Sequence, residues 1–122
     1  MILGTGIDMI EIERVYNVFH TDRRKKRVFT ESEIQMCGQS KSRLAGFYAA
    51  KEAFSKALGT GIKGISFKEI EVLKDQDGKP YFNMELISAH LVRRFGEKNF
   101  QLHLSISHDR ERAVAIAMIE EE

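Results

Sequence analysis

No two cysteines exist to pair within one copy of this chain, since Cys37 stands alone, and that suits a reducing compartment. Polar residues surround Cys37 without any nucleophile motif, so the thiol reads as incidental. Long apolar runs are missing too: none approaches the about 20 residues that a membrane-spanning helix needs. The N-terminus lacks a basic-then-apolar signal pattern, and a cytoplasmic location is expected. Net charge is only +1, too balanced for a chain that coats nucleic acid. His20, His90 and His103 show no metal-ligand spacing and read as structural or surface residues. No repeat, low-complexity tract or linker divides the sequence. At 122 residues it is long enough for one core and short for two, so a single domain over 1–122 is expected.

What is present is the mix of a globular domain, with 43% hydrophobic and 30% charged residues. The charge is unevenly placed. Arg23, Arg24, Lys25, Lys26 and Arg27 are consecutive, and before them Ile12, Val15, Tyr16 and Phe19 have the spacing of an amphipathic helix with Arg14 on its other face. A solvated loop is the default reading of such a run, while a nucleic-acid patch would want interleaved aromatics. Thr30-Glu-Ser-Glu33 is a capping box that predicts a short helix from about residue 31. Gly38 to Ser42 reads as a polar connection. Ser66 to Lys74 alternates and reads as a strand, then Asp75 to Pro80 turns into Tyr81–Asn83 as a hairpin. Ile87, Leu91 and Phe95 have helical spacing, with Gly96 as a stop. Gln101 to Ser107 alternates with Leu102, Leu104 and Ile106 inward, and Arg112 to Ile119 is the final strand. The fold class is α+β.

Two segments carry chemistry. Leu44 to Gly61, wound at 3.6 residues per turn, puts Phe47, Ala49, Ala50, Ala53, Phe54, Ala57 and Leu58 on one half of a helix. Its other half carries Lys51, Glu52, Ser55 and Lys56, with Glu52 near the centre. The alanines permit close approach to neighbours, and Gly59 and Gly61 supply a stop. Met1 to Ile10 reads as a strand with Ile2, Gly4, Gly6, Asp8 and Ile10 on one face. Two glycines beside an acid make room for a ligand or a close backbone. Asp8 among apolar neighbours needs relief, from a hard cation or a basic partner. Capping the helix that follows is the equal alternative for Asp8.

Gly6-Ile-Asp-Met-Ile-Glu-Ile-Glu-Arg14, Phe29-Thr30 with Glu33, and Leu44-Ala-Gly46 with Lys51-Glu-Ala-Phe-Ser-Lys-Ala57 together resemble the holo-[acyl-carrier-protein] synthases. These are the small, single-domain members of the 4′-phosphopantetheinyl transferase superfamily. Gly78-Lys-Pro80 and Ser105-Ile-Ser-His108 extend the resemblance over about residues 1 to 119. It implies an antiparallel sheet with a long central helix packed against it. It also implies transfer of the 4′-phosphopantetheine arm of coenzyme A to a serine of an apo acyl carrier protein, for fatty acid biosynthesis, with adenosine 3′,5′-bisphosphate left behind.

By the same resemblance, Asp8 and Glu52 are the catalytic carboxylates that hold Mg²⁺, an ion that takes oxygen ligands and keeps several waters. The proton of the serine goes either to Glu52 or to a metal-bound water. Lys51 or Lys56 binds cofactor phosphate, although Lys56 also has the i,i+4 spacing to pair with Glu52. Gly59, Thr60 and Gly61 let backbone approach the cofactor or merely stop the helix. His108 lies by the nucleotide end of coenzyme A, with an isolated surface histidine as the bland alternative. Arg14, Arg23, Arg24 and Arg27 become a dock for an acidic carrier protein. A homotrimer with active sites between subunits completes the expectation. One position departs: the family often has arginine after Leu-Ala-Gly, and here Phe47 stands there, with Arg43 expected elsewhere around the helix. A basic binding module would leave Asp8 and Glu52 without purpose, and a divalent-metal hydrolase would leave the motif set unexplained.

Overall fold

The computed structural model describes residues 1–59 and 64–122. Strand β1 (Ile2–Glu11) runs without a loop into helix α1 (Ile12–Val18). Helix α1 has Glu11 at its N-cap and no side-chain cap bond, so Asp8 is not a cap. The basic run, for which a solvated loop is the default reading, is helix α2 (Asp22–Val28). Thr21 accepts from the Arg24 amide at its start, and Asp22 in the first turn and Lys25, Lys26 and Arg27 in the last complement the helix dipole. Helix α3 (Glu31–Cys37) begins at the expected capping box, with Thr30 and Glu33 satisfying each other's amides. Helix α4 (Lys41–Leu58) starts inside the stretch expected as a connection, because Ser40 accepts from the Arg43 amide and opens the helix earlier. It stops where expected, at Gly59 with φ 84°.

After the undescribed segment, the alternating stretch from Ser66 is not one strand. Ser66 and Glu69 form a second capping box around a 3-10 turn at Phe67–Glu69, and only β2 (Val72–Lys74) is extended. The local cap wins over the period-two pattern. Strand β3 (Pro80–Phe82) pairs with β2 as a hairpin, and helix α5 (Met84–Phe95) ends at Gly96 as expected. Strands β4 (Phe100–His108) and β5 (Arg112–Glu121) follow.

Strand order is β1-β5-β4, all antiparallel, with β5 central and β2-β3 as a separate pair. Helix α4 lies across one face of the larger sheet. Ala113, Ala115, Ala117 and Ile119 of β5 meet Ala49, Ala50, Ala53 and Ala57 of α4, all buried. Small residues on both sides bring backbone to backbone. A Cβ on Gly4 would stand 2.0 Å from the Ala57 carbonyl oxygen, and one on Gly6 would stand 1.9 Å from that of Ala53. The glycines expected to leave room for a ligand or a close backbone serve the backbone. The sheet's other face leaves Ile7, Met9 and Ile116 exposed, and Ile7 and Ile116 are register partners.

Candidate active site

The close packing of β1 on α4 sets the next inward residue of the strand, Asp8, against the helix. Lys56 reaches across, its Nζ donating to the Ile7 carbonyl at 2.9 Å and to Asp8 Oδ1 at 3.2 Å. Lys56 therefore pairs with Asp8. The i,i+4 spacing to Glu52 still places Tyr48, Glu52 and Lys56 in one stripe along α4. Asp8 lies along that stripe: its charge, with that of Glu52, acts on Tyr48. The Tyr48 phenol is pushed up to about 12, first by burial, then by the Glu52 carboxylate within reach of its hydroxyl, and then by Asp8. Arg14 of α1 acts on the same phenol in the opposite sense.

Asp8 Oδ2 decides what this arrangement can hold. Among the described residues it is the one buried side-chain nitrogen or oxygen with no hydrogen-bond partner. A carboxylate oxygen buried without a partner costs free energy, and a cation at that oxygen would recover it. The donors on offer are carboxylates, with no cluster of three or more His, Cys, Asp or Glu among the described residues. Oxygen donors of this kind suit a hard cation that keeps its waters. Asp8 and Glu52 thus fit Mg²⁺.

Lys51 does not join them. Its side chain is fully buried, and all three ammonium protons are taken: Glu33 Oε1 at 2.8 Å, the Phe67 carbonyl at 2.8 Å and the Ile70 carbonyl at 2.9 Å. Nothing is left to donate to a phosphate, and the expected cofactor role of Lys51 is corrected to an internal anchor. Burial lowers the Lys51 pKa, and the Glu33 charge opposes that shift. Glu33 also accepts from the Thr30 amide at 2.9 Å and the Val72 amide at 2.8 Å, so one ion pair ties α3, α4 and β2 together. The helix expected to have a polar half therefore buries Lys51 and Ser55 as well as its apolar half.

His108 is exposed at the end of β4 and lines three clefts, two of which also border α4. The larger, ≈ 580 Å³, has Ile12, Lys41 and Asp109 in its wall. The smaller, ≈ 220 Å³, is lined by Arg43, Phe47, Lys74 and Ile106 among others. Arg43 and Phe47 line the same cleft, because residues four apart stack on one helix face; the expectation that Arg43 points elsewhere is corrected. Gly59 caps α4 against Arg94, which donates to the Leu58 carbonyl at 3.1 Å. Thr60 and Gly61 lie outside the described residues. Arg14, Arg23, Arg24 and Arg27 are all exposed on α1 and α2. Sequence reasoning missed Tyr48, although its place four residues before Glu52 was a usable signal.

Comparison with known proteins gives the family and the fold. Residues 4–118 match the family model of the 4′-phosphopantetheinyl transferase superfamily. The chain belongs to that superfamily. The holo-[acyl-carrier-protein] synthase of Clostridium tetani is 45% identical over 126 residues, covering 100% of this chain and 98% of that protein. Among solved structures, the holo-(acyl-carrier-protein) synthase of Bacillus anthracis, in complex with CoA (3′,5′-ADP), superposes with a TM-score of 0.79 at 38% identity. The match covers 100% of this chain and 99% of that one. The Neisseria meningitidis holo-[acyl-carrier-protein] synthase gives 0.85 at 31% identity, covering 99% and 100%. This membership makes the chain a transferase with the α+β architecture of the superfamily. No described helix is long and apolar enough to cross a membrane.

Proposed function

We propose that this enzyme moves the 4′-phosphopantetheine arm of coenzyme A onto a serine hydroxyl of an apo acyl carrier protein, in the cytoplasm, in support of fatty acid biosynthesis. The observation that carries the Mg²⁺ dependence is the partnerless buried Oδ2 of Asp8, on the strand that packs against the helix of Glu52. When bound there, Mg²⁺ would neutralise the pyrophosphate and orient the leaving group. Asp8 and Glu52 hold the ion. Lys56, at Asp8 Oδ1 and half-exposed, is the lysine left to meet a phosphate oxygen. A new bond forms between the serine oxygen and the β-phosphorus of the pyrophosphate. The bond from that phosphorus to the bridging oxygen breaks, and adenosine 3′,5′-bisphosphate leaves with it. The serine proton passes to Glu52 or to water.

Arg14 on α1 and the exposed α2 arginines form a basic approach for an acidic carrier. The uncovered sheet face is the support for a homotrimer. Ile7, Met9 and Ile116 are 59%, 65% and 40% exposed on one side of the sheet, a patch that a second copy would bury. Incubating the protein with coenzyme A, Mg²⁺ and apo carrier protein and weighing the carrier tests the reaction. A mass gain of one phosphopantetheine arm is expected. An unmodified carrier with intact enzyme would overturn it. Sedimentation tests assembly: trimer for wild type and monomer for Ile116→Lys are expected, and a monomeric wild type would refute the trimer.

A further inference from the structure

The ring of Tyr48 sits in an aromatic cluster drawn from several elements. Its centroid lies 5.3 Å from that of Phe19 at the end of α1 and 5.8 Å from that of Phe67 in the 3-10 turn. Phe19 in turn meets Phe29 edge-on at 5.6 Å, and Phe29 is buried. Contacts of this kind on two sides fix a ring in place. The other three members are phenylalanines, and a phenylalanine would fill the place of Tyr48 as well. Packing therefore does not account for the hydroxyl. One turn further along α4 stands Glu52, whose carboxylate is within reach of that hydroxyl. Asp8 is already held by Lys56 at 3.2 Å, whereas among the described residues no ion pair involves Glu52.

The geometry points to Tyr48 as a positioning residue: its hydroxyl donates to one oxygen of the Glu52 carboxylate and leaves the other for the cation. This rests on the reading of Asp8 and Glu52 as the pair that holds Mg²⁺. A glutamate turns about three side-chain bonds, and the loss of that freedom opposes binding. A donor fixed by its own ring packing restrains the carboxylate before the ion arrives. The two acids are then treated alike. Lys56, four residues after Glu52, holds Asp8 Oδ1 and leaves Oδ2 bare. Tyr48, four residues before Glu52, holds one oxygen of that carboxylate and leaves its fellow. Loss of a hydrogen bond that orients a ligating carboxylate typically weakens metal affinity about 10–100-fold.

Tyr48→Phe keeps the ring and removes only the donor. Electron paramagnetic resonance separates free from bound Mn²⁺ and needs no transfer. Tyr48→Phe should bind Mn²⁺ about tenfold more weakly than wild type. Glu52→Asp keeps the charge but draws the carboxylate back from the phenol, so adding Tyr48→Phe there should change binding by under about twofold. In transfer assays Tyr48→Phe should need about tenfold more Mg²⁺ for half-maximal rate. At saturating Mg²⁺ its KM values for coenzyme A and for the carrier should match wild type. Undiminished Mn²⁺ binding by Tyr48→Phe, or an equal loss in the Glu52→Asp background, would overturn the role of Tyr48. So would raised KM values with an unmoved Mg²⁺ requirement, the mark of a packing role. If wild type and Asp8→Ala bind Mn²⁺ alike, the cation reading itself fails, and this inference with it.

Discussion

Replacing Gly6 by alanine should damage the site by pushing apart the two elements that carry it. The new Cβ would stand 1.9 Å from the Ala53 carbonyl oxygen, 2.7 Å from the Ala57 nitrogen and 2.9 Å from the Ala53 carbonyl carbon. All three are helix backbone, so no side chain can swing away. A carbon–oxygen contact needs about 3.3 Å, so β1 and α4 must separate locally by more than 1 Å. Overpacking of this kind costs about 1–3 kcal/mol, and two rigid backbones place it at the upper end. For a chain of this size that lowers Tm by on the order of 10 °C. Asp8 lies two residues along the same strand face, and Glu52 immediately precedes Ala53. A displacement of about 1 Å between reacting groups costs on the order of 10²-fold in rate, so kcat should fall that far in whatever fraction stays folded. Gly46→Ala is the contrast: its Cβ would meet no backbone, only Ile106 Cγ2 at 2.9 Å, and a small shift of that half-buried side chain relieves the contact. That variant also gains helix propensity worth about 1 kcal/mol, so its Tm should stay close to wild type. Melting curves by circular dichroism and carrier-protein transfer rates read both variants. A Gly6→Ala protein with wild-type Tm and rate would refute the packing argument.

Asp8→Ala and Glu52→Ala should each abolish transfer while retaining Tm; a near-wild-type rate at saturating Mg²⁺ would remove that residue from the ion. Tyr48, raised to about 12 from an ordinary 10, stabilises the fold below pH 10 and loses that contribution as pH rises from 10 to about 12. Ultraviolet titration should show a late tyrosine phase that Tyr48→Phe deletes and Glu52→Gln moves to lower pH, and an unmoved phase would separate Tyr48 from Glu52. Lys51→Met strands the Glu33 carboxylate in the core and should cost about 3–5 kcal/mol in denaturant unfolding, whereas an exposed lysine would cost almost nothing. Reversing Arg14 and Arg24 to Glu should raise KM for the carrier protein, spare that for coenzyme A and flatten the salt dependence of kcat/KM; equal harm to both constants would deny a docking role.

Features set by local periodicity and caps were legible in the sequence. Gly4, Gly6 and Asp8 share a strand face, Thr30 and Glu33 cap each other, and Gly59 and Gly96 end helices, because each depends on residues a few positions apart. Lys51 was misread because its partners come from Glu33, Phe67 and Ile70, and helical spacing cannot tell a solvated lysine from one whose protons are claimed by distant carbonyls. Ser66 to Lys74 failed for a related reason: alternation is a property of side chains, and the chain there is governed by the Ser66–Glu69 cap. The pairing of Asp8 with Lys56 needed the approach of β1 to α4, which the two glycines permit but do not specify.

Lys51 and Glu52 are neighbours in the chain with opposite surroundings, one sealed in the interior and the other facing the site. One full turn of α4 is thereby indexed like a key: with three protons bonded to fixed acceptors, the helix can neither roll nor slide without first unmaking the interior. Local melting that freed Glu52 alone is therefore unavailable to this molecule, and activity and cooperative structure should disappear at the same temperature. Enzymes whose catalytic groups sit on loops can go dark before they unfold; here the loss of one should be the loss of the other.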